Sequence, residues 1–390
     1  MSLSRNEGEN GKGRFVRMGE KLKIAMVGHK HVPSREGGIE IVVEELSTRM
    51  AAKGYDVTLY NRGGHHVSGK EFDSQKLSEY KGVKLTSVPT IERKGLAALS
   101  SSFFGALNVA FSRYDVVHFH AEGSCAFLWI PKFFGKRCIA TIHGLDWQRE
   151  KWKGGIGSKF IHYGEKVAVK HADEIIVLSK GVQEYFQNEY GRKTVLIPNG
   201  VNKPEVVEAD EIKSRWGLEK DSYILFLGRI VPEKGLRYLV EAYRGLKTDK
   251  KLVVAGGSSD TDKFVKKLRE LGSENVIFTG FVSGRALDEL YSNCYIYCLP
   301  SDLEGMPLSL LEAMSYGDCC VVSDIDECAS VVEDKAVIMK KSNVTDLREK
   351  LQMLCDEPET VQKYKSEAAE FILKKYGWDD IVERTLDLYK

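Results

Sequence analysis

Short apolar runs and helical patterns alternate from Leu22 onward, and the alternation comes as two series separated by one polar break. A run too short for a helix, then a helix, then another run builds βαβ units with parallel strands. The pattern therefore restricts the chain to α/β folds whose sheets are covered on both faces. In the first series the runs are residues 22–27, 57–60, 83–88, 116–119, 138–142, 174–178 and 194–197. A helix is predicted from about Glu40 to Lys53, because Ile39, Val42, Val43, Leu46 and Met50 share one face and Gly54 stops it. Pro198-Asn199-Gly200-Val201 and the polar stretch to about Asp221 form the best domain boundary. The second series starts at Ile224 and continues at 251–255, 275–279, 295–299, 320–322 and 336–339. Three helical patterns follow, the last from Asp379 to Tyr389 after Tyr376-Gly377-Trp378. The expected fold is two doubly wound, Rossmann-like domains, residues 21–200 and 201–377, facing each other across a cleft. Residues 1–20 are polar and Gly-rich, lack the apolar stretch of a secretory signal, and read as a disordered leader.

Two segments in the second series carry chemistry. Gly228-Arg229-Ile230-Val231-Pro232-Glu233-Lys234-Gly235 follows the run ending at Leu227 and precedes a helical pattern. That is a strand-to-helix turn, the place where open α/β sheets bind ligands. Two cations beside a helix N-terminus suit an anion with several oxygens, a diphosphate above all. Glu304-Gly305-Met306-Pro307-Leu308-Ser309-Leu310-Leu311-Glu312 follows another strand and enters a helix, with Pro307 where a proline is tolerated. Carboxylates would repel a diphosphate, so hydroxyl groups of a sugar or ribose are their expected partners. Together the two segments describe a nucleotide-sugar site.

The Gly-Arg…Glu-Lys-Gly and Glu-x7-Glu signatures, in this order, resemble the donor domain of family 4 retaining glycosyltransferases, and almost the whole chain follows that pattern. The resemblance implies the GT-B fold, with a terminal helix, 378–390, crossing back onto the first domain. It implies that Arg229 and Lys234 bind the donor diphosphate and stabilise the leaving phosphate, that Glu304 contacts the transferred sugar, and that Glu312 holds the ribose. It adds His143 as an active-site histidine touching the donor sugar, Gly37 and Gly38 as a loop approaching the phosphates, and Val282 as a donor contact. The amides of Gly305, Met306 and Leu308 would meet donor oxygens. Retention and independence of metal are implied in the same way, and UDP is the nucleotide expected from family frequency. A nucleotide-sugar epimerase or phosphorylase of the same fold, and a non-catalytic nucleotide-sugar-binding protein, remain alternatives on these residues.

Other groups have blander readings. Asp324 and Asp326 look like a metal-binding Asp-x-Asp, but they follow a strand and are expected to cap the next helix. His118 and His120 end a strand, Glu40 follows the glycine pair, Asp146 and Trp147 are candidate acceptor contacts, and His65-His66 lacks partner carboxylates in register. Eight scattered cysteines without CxxC knuckles, Cys294 and Cys298 among them, read as free thiols in a reducing cytoplasm. No apolar run reaches the length of a transmembrane span. Net charge is +1, yet residues 1–200 carry 30 Lys and Arg against 21 Asp and Glu, and the remainder 27 against 35. The first half is thus suited to an anionic acceptor or membrane. The basic, aromatic segments 127–137, with Lys132, Lys136 and Arg137, and 148–170 are packed helices with solvated lysines or a grip on a lipid-linked acceptor. No nucleic-acid partner is expected.

Overall fold

The structure, a computed structural model, describes residues 22–35, 37–65, 77–93, 96–149, 155–257 and 262–390. The segment read as a leader and His66 lie outside them. The first sheet is built from β1 (Lys23–Val27), β2 (Asp56–Arg62), β3 (Glu79–Tyr80), β4 (Val83–Val88), β5 (Val116–His120), β6 (Arg137–Ile142), β7 (Glu174–Val177) and β8 (Val195–Leu196). Its order is β3-β4-β2-β1-β5-β6-β7-β8, parallel except for the short antiparallel edge strand β3. Helices α1 (Gly38–Ala52), α2 (Leu96–Phe111), α3 (Trp129–Phe133), α4 (Ile156–His171) and α5 (Lys180–Tyr190) connect these strands. After α6 (Glu211–Trp216), the second sheet takes β9 (Tyr223–Leu227), β10 (Lys251–Ala255), β11 (Val276–Gly280), β12 (Ile296–Leu299), β13 (Cys320–Ser323) and β14 (Val337–Met339). All of its pairings are parallel, in the order β11-β10-β9-β12-β13-β14. Between them run α7 (Leu236–Arg244), α8 (Asp262–Leu271), α9 (Arg285–Asn293), α10 (Leu308–Ser315) and α11 (Asp326–Val332). The helices α12 (Val344–Asp356), α13 (Pro358–Lys375) and α14 (Trp378–Asp387) follow.

Both sheets are covered on two faces, which is why their strands read as continuous apolar runs rather than alternating ones. Ile24, Ala25 and Met26 in β1 and Ile224, Leu225 and Phe226 in β9 are all fully buried. Each of these side chains larger than alanine contributes about 1.5–3 kcal/mol on leaving water.

The chain crosses between the sheets twice, side by side. Val201 N donates to Tyr376 O at 2.8 Å, and Val201 bridges Gly377. Gly200 lies under the Trp378 ring so closely that a Cβ there would stand 2.4 Å from it. α14 then lies on α1, with Lys53 Nζ 2.6 Å from Glu383 Oε1 and Arg49 Nη1 3.5 Å from Asp379 Oδ1. Beyond it, Tyr389 is buried, its hydroxyl 2.6 Å from His118 Nδ1, and Arg137 Nε donates to Leu388 O at 2.9 Å.

Candidate active site

In the second sheet the strand order reverses between β9 and β12, so the turns after these neighbours flank one crevice at the carboxyl edge. Gly235 has φ +68°, and a Cβ there would lie 1.9 Å from Pro300 O. Glycine therefore lets the turn after β9 pack directly on the turn after β12. The close fit places Lys234 Nζ 2.6 Å from Glu304 Oε1 and 2.8 Å from Oε2, with side chains 14% and 7% exposed. Ser301 Oγ donates to Glu304 Oε1 at 2.6 Å, and Ser323 Oγ donates to Ser301 O at 2.5 Å, so the carboxylate is fixed from two strands. The sequence reading gives the two signatures separate groups of the ligand, and in the fold their central residues neutralise each other.

Arg229, half-buried in the same crevice, makes no side-chain ion pair among the described residues. Burial lowers its pKa, and the nearby charge of Arg149 acts in the same direction. Arg149 comes from the first domain, just after a single turn at Asp146–Gln148. Its Nε lies 2.7 Å from Asp146 Oδ1, and Asp146 N donates to the buried Glu122 Oε2 at 2.8 Å. Asp146, then Glu304 and Glu233, raise the pKa of Arg149 against its burial. Three cations from two domains thus converge. The sequence concealed Arg149 within a lysine-rich stretch, and Asp146 is ion-paired to it. A cavity of about 500 Å³ opens beside them, lined by Gln148, Glu233, Tyr238, Phe264, Asp302 and Lys341.

Across the cleft, His143 follows β6, with its Nε2 3.1 Å from His120 Nδ1. Burial lowers the pKa of His143 to about 4 and that of His118 to about 3, and holds His120 well below the usual value. All three are neutral at physiological pH. His118 stacks on His120 with ring centres 4.2 Å apart, and its Nε2 is 2.7 Å from Thr141 Oγ1. With Tyr389 on its other nitrogen, His118 anchors the core, and His120 orients His143.

The glycines of both domains meet here. A Cβ on Gly305 would fall 1.7 Å from His143 O, and one on Gly38 would fall 3.3 Å from Leu308 Cδ1. Gly37 is the N-cap of α1, and Glu40 Oε1 accepts from Lys30 N at 2.9 Å, bracing the loop. Asn199, from the crossing segment, donates to Met306 O at 3.1 Å and, through its amide, to Met306 Sδ at 3.0 Å. Pro307 is the N-cap of α10, and the Gly305, Met306 and Leu308 amides cluster at that helix end. Glu312 takes a hydrogen bond from Tyr291 Oη at 3.1 Å and lies 3.6 Å from Arg35 Nη1 of the glycine loop. Burial raises its pKa, while Arg35 opposes that shift. Val282 is buried between β11 and α9.

Several expectations are corrected. Ile325, with no side-chain cap, is the N-cap of α11, while Asp324 Oδ1 accepts from Lys341 N at 2.8 Å and Asp326 is the first helical residue. Trp147 stacks its ring on His162 with centres 4.6 Å apart. Lys132 pairs with Asp173 at 2.5 Å, and Lys136 Nζ donates to Ser112 O and Tyr114 O at 2.7 and 2.9 Å. With Arg137 held by Leu388, these three cations are directed at the protein. Cys294 and Cys298 are buried and free.

Two family models divide the chain between them. Residues 36–203 match Glycosyltransferase Family 4, and residues 208–371 match Glycosyl transferases group 1. The chain belongs to the group 1 glycosyltransferases. This glycosyltransferase is 25% identical over 399 residues to an uncharacterised glycosyltransferase of Methanocaldococcus jannaschii, covering 95% of this chain and 98% of that protein. It is 29% identical over 236 residues to the N,N'-diacetylbacillosaminyl-diphospho-undecaprenol alpha-1,3-N-acetylgalactosaminyltransferase of Campylobacter jejuni, covering 57% of this chain and 62% of that one. Among solved structures, Anabaena HepE in complex with UDP-glucose superposes with a TM-score of 0.77 at 16% identity, covering 94% and 99%. The glycosyltransferase has the GT-B fold, two parallel-sheet domains across a cleft.

Proposed function

We propose that this enzyme moves a sugar from a nucleoside diphosphate sugar, with UDP as the nucleotide, to an acceptor hydroxyl, with retention and without a metal ion. The observation that carries the reading is the convergence of Arg149, Arg229 and Lys234, with Arg229 in no ion pair among the described residues, beside the N-terminus of α10. Charge builds on the leaving phosphate as the glycosidic bond breaks, and preorganised cations and helix-terminal amides lower that barrier most. A donor diphosphate would take Lys234 from Glu304, leaving that carboxylate to the sugar hydroxyls and the positive charge near the reacting carbon. Neutral His143 would face the same sugar, Glu312 the ribose, Val282 the base, and Gly37-Gly38 the phosphates. The acceptor would lie mainly against the first domain and pass its proton to a donor phosphate oxygen, so no nucleophile–base pair is needed. Asp324 is engaged by the Lys341 amide and is poorly suited to a metal.

Support for UDP comes from the HepE complex, and support for a glycan or lipid-linked acceptor from the name of the Campylobacter relative. The reading places the enzyme in polysaccharide, glycolipid or cell-envelope glycan synthesis, at the cytoplasmic face of a membrane. Its eight free cysteines suit a reducing compartment. Among the described residues no helix is long and apolar enough to cross a membrane. A panel of nucleotide sugars tests the proposal, with thermal shift reporting binding and nucleoside diphosphate release reporting transfer, each with and without EDTA. Acceptor-dependent release of UDP that survives chelation is expected. Epimerised donor with no release, or activity that returns only with magnesium or manganese, would overturn the corresponding part.

A further inference from the structure

Helix α2 is packed the wrong way round for a soluble domain. Its buried side is made of Ser100, Ser101, Ser102, Gly105, Ala106, Val109 and Ala110, while Phe103, Phe104 and Phe111 face solvent. Gly105 sits on β1, where an added Cβ would lie 3.5 Å from Val27 Cγ1, so small residues let the helix approach the sheet. The following helix continues the same surface. Phe111 is 73% exposed, Phe133 83%, Trp129 45% and Phe134 46%. Phe134 packs on Phe111 with ring centres 4.8 Å apart and on Phe133 at 5.5 Å, and Phe103 packs on Phe104 at 5.5 Å. A groove of about 450 Å³ runs along α2 between Pro89, Phe104, Leu107 and Phe111, with no charged residue in its lining. Soluble proteins rarely leave contiguous aromatic surface uncovered.

We propose that this outward face of α2 and α3 docks on an anionic bilayer, its aromatic rings entering the interfacial layer. Residues 95–112 contain no charged side chain and are bracketed by Arg93 and Lys94 on one side and Arg113 on the other. An apolar face with cations at both ends is the arrangement that amphipathic interfacial helices use on anionic lipid. Trp129 supplies a ring suited to the headgroup level. Two copies meeting across a two-fold axis would instead bring the same cationic ends together, which disfavours self-association. Lys132, Lys136 and Arg137 are held by protein groups, so attachment rests on the rings, with Arg93 and Arg113 at the margins. Helices in a doubly wound sheet begin at its carboxyl edge, so the start of α2 lies at the cleft side of the domain, within reach of a lipid-anchored acceptor. The surface itself is independent of the donor chemistry.

The test uses the full chain without substrate, sedimented with vesicles of phosphatidylcholine alone or mixed with phosphatidylglycerol. Binding to the mixed vesicles is expected, reduced but not abolished by 0.5 M salt, with a blue shift of tryptophan emission that the Trp129→Phe variant removes. The double variant Phe111→Ser/Phe133→Ser, altering only exposed side chains, should lower partitioning by about tenfold or more while the thermal shift given by UDP stays unchanged. Absence of vesicle binding, equal binding to neutral vesicles, or binding indifferent to the double variant would overturn the proposal. A solution dimer that the same variant converts to monomer would also overturn it and assign the face to self-association.

Discussion

The two sheets share one winding order and carry different equipment at their carboxyl edges. The second domain has short turns there, packed on one another through Gly235, and it holds both signatures, six of the eight cysteines and no histidine. The first domain has longer connections, carries all nine histidines, and presents a neutral imidazole column, His118-His120-His143, where its counterpart presents cations. A shared fold positions a crevice, and the residues in the turns decide what it holds. One domain holds cations at its own turns, and the other presents neutral imidazoles and lends Arg149 and Arg35 across the gap.

The sharpest way to break this contrast is to remove a cation from the second domain. Lys234→Ala or Arg229→Ala should slow turnover by about 10²-fold or more, as for loss of one preorganised charge contact. The double variant should fall short of additive, because both residues act on one anion. Nucleoside diphosphate release at saturating donor measures it, and a variant with ordinary turnover would dismiss the site.

Next in size is the loss of stability in acid, which should fall on the first domain, because burial raises the carboxyl pKa values of Glu312 and Asp318 in the second, a shift of the opposite sign. His29, His118 and His143 have folded pKa values of about 4, 3 and 4 against an ordinary 6.5, because burial excludes the charged form. The unfolded chain therefore binds more protons below pH 6.5. Stability is complete above that pH and is lost as the pH falls from about 6.5 toward 4. Each group adds up to about 1.4 kcal/mol per pH unit within the window. Hydrogen exchange at pH 7.5 and 5.5 should show faster opening in β1, β5 and β6 and little change in β9 and β12. Uniform loosening of both domains would contradict the contrast.

Arg149→Met asks whether the borrowed cation matters. A fall of about tenfold in kcat with little change in UDP affinity is expected if it acts mainly as the leaving charge develops. Equal losses in kcat and affinity would make it an ordinary binding group. The smallest effect belongs to Arg35→Ala. Its contact with Glu312 is 3.6 Å long and half-exposed, so thermal stability should move by under about 1 kcal/mol. A larger loss would mean that the pair holds the domains together.

The sheets were legible because a strand buried on two faces must be apolar along its length, as at residues 224–227, and the signatures were legible because each lies within one turn. What stayed hidden depends on elements distant in sequence. Arg149 matters only once the His143 loop meets Gly305, and Arg35 only once the glycine loop faces α10. Neither neighbour can be read from local spacing. Asp324 failed as a cap because the loop after β14 offered its oxygen the Lys341 amide. In α2, small residues won the sheet-facing side because they allow closer packing, and the phenylalanines were left outside.

The placement of Tyr389 bears on how the chain is made. The first sheet is complete in sequence by Leu196, about two hundred residues before the tyrosine that seals His118. The second domain is contiguous and can close as soon as it emerges from the ribosome, since domains generally fold as units during synthesis. A nascent chain therefore holds its first sheet with the histidine column unsealed while the second domain is completed behind it. Synthesis and completion run in opposite orders, and the domain made first is the one finished last.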